Sequence, residues 1–334
     1  MKKIIVMMFL LGSTLINGQA KFSHESEIKG KEKFNHFELD FFNFTDGLRL
    51  SGTLISPKNP YTKIVVIIPG SGKDTRYAHH KLASSFLENN IAVYRFDERG
   101  VGKSQGNYTS AIDRLTDDIS YCIKHIKSLP VFKGKEVGIL GHSLGGMASA
   151  IATNNSKNSS TEVDFLIQIA SPVKNFSNAS KYQITTLPQY KIKYKTKKEI
   201  VNLLDTLLTI TNSNKNISNI ALRKKGIAAI NKKGFNLKDI KFWSYTHISL
   251  FKQDYEAVYK QLQIPTIYII GSRDQFVNPK SEISLLKKYN NPLITVKVME
   301  NLNHYLTAGA LQPSVIYNID KKATDTIINW VQKI

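Results

Sequence analysis

Apolar and polar residues alternate along HFELDFFNF (36–44) and LRLSGTLISP (48–57), and Asp46-Gly47 between them is a turn signal. A β-hairpin is expected there. KIVVIIPG (63–70) breaks the alternation with a continuous β-branched run, the pattern of a strand covered on both faces. Helical and strand patterns then take turns. Helices are expected near 77–90, 112–128, from Leu144, and at 279–289 and 320–333. Strands are expected at 91–100, 136–143, 163–170, 266–274 and 294–300. Such alternation gives an α/β chain with a mostly parallel sheet and helices on both faces. Ligands bind at the carboxyl ends of strands in sheets of this kind, so those loops should carry the function.

About 95 residues separate the strand ending near Ala170 from the one starting near Thr266, whereas a crossover needs only about a dozen. The surplus reads as an insertion. KKEIVNLLDTLLTI (197–210) carries apolar residues at 200, 203, 204, 207, 208 and 210, a helical stripe. It could face a pocket, but packing within the insertion is the simpler expectation. FWSYTHISLFKQDYEAVYKQL (242–262) reads as one helix or two. Residues 172–250 are therefore expected to form a mostly helical cap, with 21–171 and 251–334 making the core.

MKKIIVMMFLLGSTLINGQA (1–20) stands apart, with Lys2 and Lys3 before an apolar run and small residues at Gly18 and Ala20. This is the pattern of a secretion signal, and its apolar run is short of the roughly 20 residues that span a bilayer. Export to a periplasm or the medium is expected, with no stable membrane span once the signal is removed. The formal charge is +20. Dispersed lysines without an arginine-rich helix make this a solvated surface, not a nucleic-acid interface. Cys122 is the only cysteine, so neither an internal disulfide nor a cysteine-based zinc cluster can form. It falls on the apolar side of a helix pattern, where a buried, inert thiol is expected.

The candidate chemistry centres on GILGHSLGGMASAIA (138–152). A β-branched strand leads into Ser143 and a small-residue helix leaves it, the setting that a G-x-S-x-G motif needs to act as a strained nucleophile turn. Gly141 and Gly145 would let neighbouring backbone approach. A serine hydroxyl needs a neighbour to take its proton, and on such sheets acid and histidine follow the serine in that order. Asp274, in IIGSRDQFV, and His304, in VKVMENLNHYL, each follow a late strand at the same sheet edge. His247 and Asp254 lack that position, and the His142 ring should point away from the hydroxyl. PGSGKDT (69–75) follows the first buried strand, and Gly70 and Gly72 shape it for close approach. The N–H groups of Ser71 and Leu144 are the candidate oxyanion donors. The loop lacks the spacing of a nucleotide-phosphate motif. His79 and His80 are expected at the surface.

RFDERGVGKSQG (95–106), GHSLGG (141–146), GSRDQFV (271–277) and the late NHY together resemble the α/β-hydrolase superfamily, and within it a branch of bacterial serine carboxylesterases. The resemblance implies an eight-stranded, mostly parallel sheet. It also implies that Asp97 and Arg99 brace loops beside the site and carry no protons. The loop after the third strand departs from the branch by continuing KDTRYAHH, so substrate preference does not carry over. The expected function is hydrolysis of carboxylic esters through an acyl group on Ser143. No metal or organic cofactor is needed, and the partner is a small-molecule ester, conceivably an acylated saccharide. A prolyl-oligopeptidase-type peptidase, an acyltransferase or thioesterase, and a non-catalytic binding protein are the alternatives.

Overall fold

The computed structural model describes residues 22–156, 162–187 and 192–334. The expected leader lies outside them, as does part of the basic stretch 190–198. Eight strands form the main sheet: β1 (Phe34–Glu38), β4 (Gly52–Pro57), β5 (Lys63–Ile68), β6 (Ala92–Phe96), β7 (Glu136–His142), β8 (Phe165–Ile169), β9 (Thr266–Gly271) and β10 (Ile294–Met299). Their order is β1-β4-β6-β5-β7-β8-β9-β10. β1–β4 and β4–β6 pair antiparallel and every other pair is parallel. This is the α/β-hydrolase arrangement expected from the sequence.

The expected hairpin is built differently. Each of its two runs splits in two, and β2 (Phe41–Asn43) and β3 (Leu48–Leu50) pair in a separate small sheet around Gly47. The break comes where Leu39 N–H donates to Gly52 O at 2.9 Å and Asp40 Oδ1 accepts from Gly52 N–H at 3.3 Å. Those bonds turn the chain out of the main sheet, and periodicity alone does not show them.

Helices α1 (His80–Glu88), α2 (Ile112–Ser128), α3 (Leu144–Asn155), α8 (Tyr255–Gln261), α9 (Pro279–Tyr289) and α10 (Lys321–Lys333) accompany the sheet. α2 shows why such segments are helical: Ile112, Leu115, Ile119, Cys122, Ile123 and Ile126 recur on one face, and all are buried. Cys122 is a buried free thiol, and burial pushes its pKa well above the usual range. β5 and β7 lie side by side in register, Ile68 opposite Gly141. Their ends therefore deliver the 69–75 loop and the Ser143 turn to one place.

Between β8 and α8 the chain builds α4 (Phe176–Thr186), α5 (Lys197–Asn212), α6 (Asn219–Lys232) and α7 (Tyr245–Lys252). These helices share an apolar core of their own, including Leu203, Leu204, Leu207, Leu222, Trp243 and Phe251. The α5 stripe mostly packs this second core, with Ile200, Leu203, Leu204 and Leu207 buried. α5 starts at a capping box in which Glu199 N–H donates to Thr196 Oγ1 and Thr196 N–H donates to Glu199 Oε2. The 242–262 stretch is two helices, α7 and α8. Leu250 already belongs to the main core, whereas Phe251 closes the second.

Candidate active site

Ser143 sits between β7 and α3 with φ 52° and ψ −116°, a conformation costly for any residue with a side chain. Its N–H donates to Ile169 O at 2.8 Å and its carbonyl accepts from Met147 N–H at 3.1 Å, so the turn is held on both sides. The flanking glycines are required by close approach. A Cβ on Gly145 would lie 2.0 Å from Pro69 O, and one on Gly141 would lie 2.5 Å from Gly146 Cα. Gly70 also abuts this turn: a Cβ there would stand 3.4 Å from Ser143 Cβ.

Asp274 and His304 meet as expected. His304 Nδ1 donates to Asp274 Oδ2 at 2.7 Å, and both residues are buried. Asp274 is itself fixed, because its Oδ1 accepts from Phe276 N–H at 2.7 Å and Val277 N–H at 2.9 Å. These bonds fix the carboxylate plane and hold its second oxygen on the imidazole. Tyr182 of α4 donates to Asp274 O at 2.9 Å, tying the cap to this loop.

Ser143 Oγ makes no hydrogen bond with His304 among the described residues. His142 links their two loops. Its Nε2 donates to His304 O at 3.1 Å, and the two ring centroids are 4.8 Å apart. Burial, with His304 and His79 nearby, holds the His142 pKa well below the usual imidazole range, so the ring is neutral. In unliganded sites the nucleophile–base contact is often open and tightens when substrate binds.

Ser71, Ser143 and Leu144 line one cavity of about 510 Å³. Core residues Met147 and Val277 and cap residues Phe176, Ile184 and His247 share its wall. Leu144 opens α3, whose first N–H groups have no partner within the helix and lie at the positive end of its dipole. Gly72 takes φ 131°, and its N–H donates to Tyr108 Oη at 3.0 Å, which fixes the loop that carries Ser71.

The rest of that loop is anchored more heavily than its sequence suggests. Asp74 receives His24 Nε2 at 2.9 Å and Tyr317 Oη at 2.8 Å, and its own N–H donates to Glu98 Oε2 at 2.8 Å. Thr75 donates to Glu25 Oε1 through N–H and hydroxyl, at 2.5 and 2.8 Å. His24, Glu25 and Asp74 each bring a ligand-type atom within 4.8 Å of the others. The bonds just described already engage those groups as loop anchors.

Asp97 and Arg99 lie away from the cavity wall and tie loops together. Asp97 accepts from Arg76 and from Lys103 N–H, while Arg99 reaches Asp118 through Nε and Nη2, both at 2.7 Å, and Asp46 through Nη1 at 2.7 Å. His79 corrects the surface expectation. It is buried, its ring 5.2 Å from His142 and 4.1 Å from Tyr317, and burial lowers its pKa to about 3. His80 is half-buried, also with a lowered pKa, to about 4. Two adjacent histidines in a polar stretch gave no sign that Tyr317, far along the chain, would cover His79.

Solved structures share the fold at low identity. The Pyrococcus furiosus esterase Pf2001 is similar at a TM-score of 0.57 and 17% identity, over 92% of this chain and 96% of that one. Est1E from Butyrivibrio proteoclasticus, solved with ferulic acid, is similar at a TM-score of 0.57 and 15% identity, over 88% and 98%. Among curated relatives, the thiohydrolase apmlB of Arthrinium phaeospermum is 32% identical over 115 residues, 33% of this chain and 36% of that protein. The YfhR protein of Salmonella typhimurium is 29% identical over 150 residues, 43% and 48%. The chain thus spans between a third and a half of the length of these relatives. Residues 59–308 match the family Hydrolase_4, described as serine aminopeptidase, S33. With its eight-stranded sheet and a serine on the turn after β7, the chain belongs to that family of α/β-hydrolases.

Proposed function

We propose that the protein is a serine carboxylesterase that works through an acyl group carried on Ser143. The observation that carries this reading is the 2.7 Å bond between His304 Nδ1 and Asp274 Oδ2 on the loops that His142 joins to the strained Ser143 turn. With Nδ1–H committed to Asp274, His304 Nε2 is the nitrogen free to act as base. It takes the Ser143 proton as Oγ attacks the ester carbonyl, and the N–H groups of Ser71 and Leu144 receive the oxyanion. The C–O bond to the alcohol breaks and the alcohol leaves with the proton from His304. Water then attacks the acyl-serine, again through His304, and releases the acid. Asp274 stays ionised and stabilises the imidazolium. The export suggested by residues 1–20 is part of the same proposal.

The family description makes aminopeptidase activity the second reading. Holding a free α-amino group calls for an acidic side chain on the cavity wall. Asp239 is the acid there, and it is exposed, with Lys241 on the same wall. That favours the ester reading. A panel of 4-nitrophenyl esters, aminoacyl 4-nitroanilides and acyl thioesters tests it. Ester turnover should exceed anilide turnover by orders of magnitude, and faster anilide cleavage would replace esterase with peptidase.

A further inference from the structure

The cavity wall under the cap sets apolar residues such as Phe176, Ile184 and Leu250 beside the polar Gln183, Asp239 and Lys241, and one imidazole is built into it. His247 lies in the first turn of α7, half-buried, its ring packed on Phe176 at a 34° tilt with centroids 5.3 Å apart. Its Nδ1 is held at 2.5 Å by Ser244 Oγ, which in turn lies 2.9 Å from Thr246 Oγ1. One nitrogen is thus fixed by the helix start, the ring plane is set by an aromatic neighbour, and Nε2 has no hydrogen-bond partner among the described residues. Burial lowers the pKa of this ring, so it is neutral and able to donate or accept.

A neutral polar atom held in place beside apolar side chains discriminates between ligands. An alkyl group that fills the cavity strips water from Nε2 and gives no hydrogen bond back, which weakens its binding. A ligand oxygen at that point recovers the loss. Sites built to hydrogen-bond an oxygen reject the analogue lacking it much more strongly than apolar pockets reject an extra methylene. We infer that the site takes esters whose cap-side half is an apolar chain or ring bearing a hydroxyl or carbonyl oxygen remote from the ester bond. His247 Nε2 is the residue that reads that oxygen. This rests on the reading of Ser143 as the reacting end of the cavity.

The test compares 4-nitrophenyl esters of hexanoate, octanoate and decanoate with their ω-hydroxy counterparts. Hexyl, octyl and decyl acetates against the matching diol monoacetates form the second arm. The arm showing the preference identifies which half of the ester lies under the cap. At one chain length or more, the hydroxylated member should be favoured about tenfold or better in kcat/KM. His247→Phe should bring that ratio close to one and His247→Gln should restore part of it. Tyr245→Ala, at an exposed neighbour, should leave the ratio as it is. Calorimetry of Ser143→Ala with 8-hydroxyoctanoate against octanoate, and with 1,8-octanediol against octanol, reads the same preference without turnover. If no ester is cleaved but the hydroxylated ligand binds more tightly in a His247-dependent way, the esterase reading fails and the pocket inference stands. Equal ratios and equal affinities at every length, or a preference that survives His247→Phe, overturn the inference and leave the esterase reading untouched.

Discussion

His142 Nε2 donates to the backbone carbonyl of His304 at 3.1 Å, so the residue before the candidate nucleophile holds the main chain of the candidate base. The Nδ1 of the same ring would lie 3.3 Å from a Cβ on Gly70, against the loop that carries Ser71. One buried, neutral imidazole therefore spaces three loops that must agree to within fractions of an ångström. Misplacement by about 1 Å costs on the order of 10²-fold in rate. His142→Phe should lower kcat by about 10- to 100-fold with KM little changed, and the rate of fluorophosphonate labelling should fall with it. A loss confined to KM would remove the spacing role.

Asp274→Asn should keep the fold and lose the chemistry. An amide can still accept from Phe276 and Val277 N–H, but it no longer fixes Nδ1–H on His304 or stabilises the imidazolium. A drop in kcat of about 10³–10⁴ is expected, with the melting temperature close to that of the parent.

Glu282 gives the fold a pH signature independent of catalysis. It is buried in the first turn of α9, where its Oε2 accepts from Val173 N–H at 2.7 Å, and burial pushes its pKa up to about 7. For an acid raised in this way, ionisation costs more in the folded chain than in the unfolded one. Stability from this group is therefore full below the ordinary glutamate range and declines as pH rises through about 7. Glu282→Gln keeps an acceptor for Val173 and should flatten the melting temperature between pH 5 and 8. An unchanged slope in that variant would place the dependence elsewhere.

Arg99 and Asp118 form a buried, doubly bonded pair, and Asp118 also accepts from Asn43 Nδ2 at 2.6 Å. Arg99→Ala leaves that carboxylate without its cation at a cost of about 3–5 kcal/mol. Urea denaturation should show a lowered midpoint, while KM per folded molecule stays near that of the parent.

The parallel strands and the loops at their ends were legible because β-branched runs, glycine turns and helical periods are local properties. The meeting of Asp274 with His304 was legible because each follows a late strand at the same sheet edge, and the two are hydrogen-bonded. What escaped depended on contacts distant along the chain. His142 faces the His304 carbonyl across 162 positions, and Tyr317 reaches Asp74 across 243. No window of sequence holds both partners. The split of the first hairpin rests on the Leu39–Gly52 backbone bond, and the choice between one helix and two over 242–262 is settled by packing against two different cores.

Rapid mixing with a 4-nitrophenyl ester, quenched in acid and followed by peptide mass analysis, tests the central claim most directly. The account predicts an acyl adduct on the peptide containing Ser143, formed in a burst close to one per enzyme and absent in Ser143→Ala. Turnover that persists in Ser143→Ala, or an acyl group trapped on any other side chain, would contradict it.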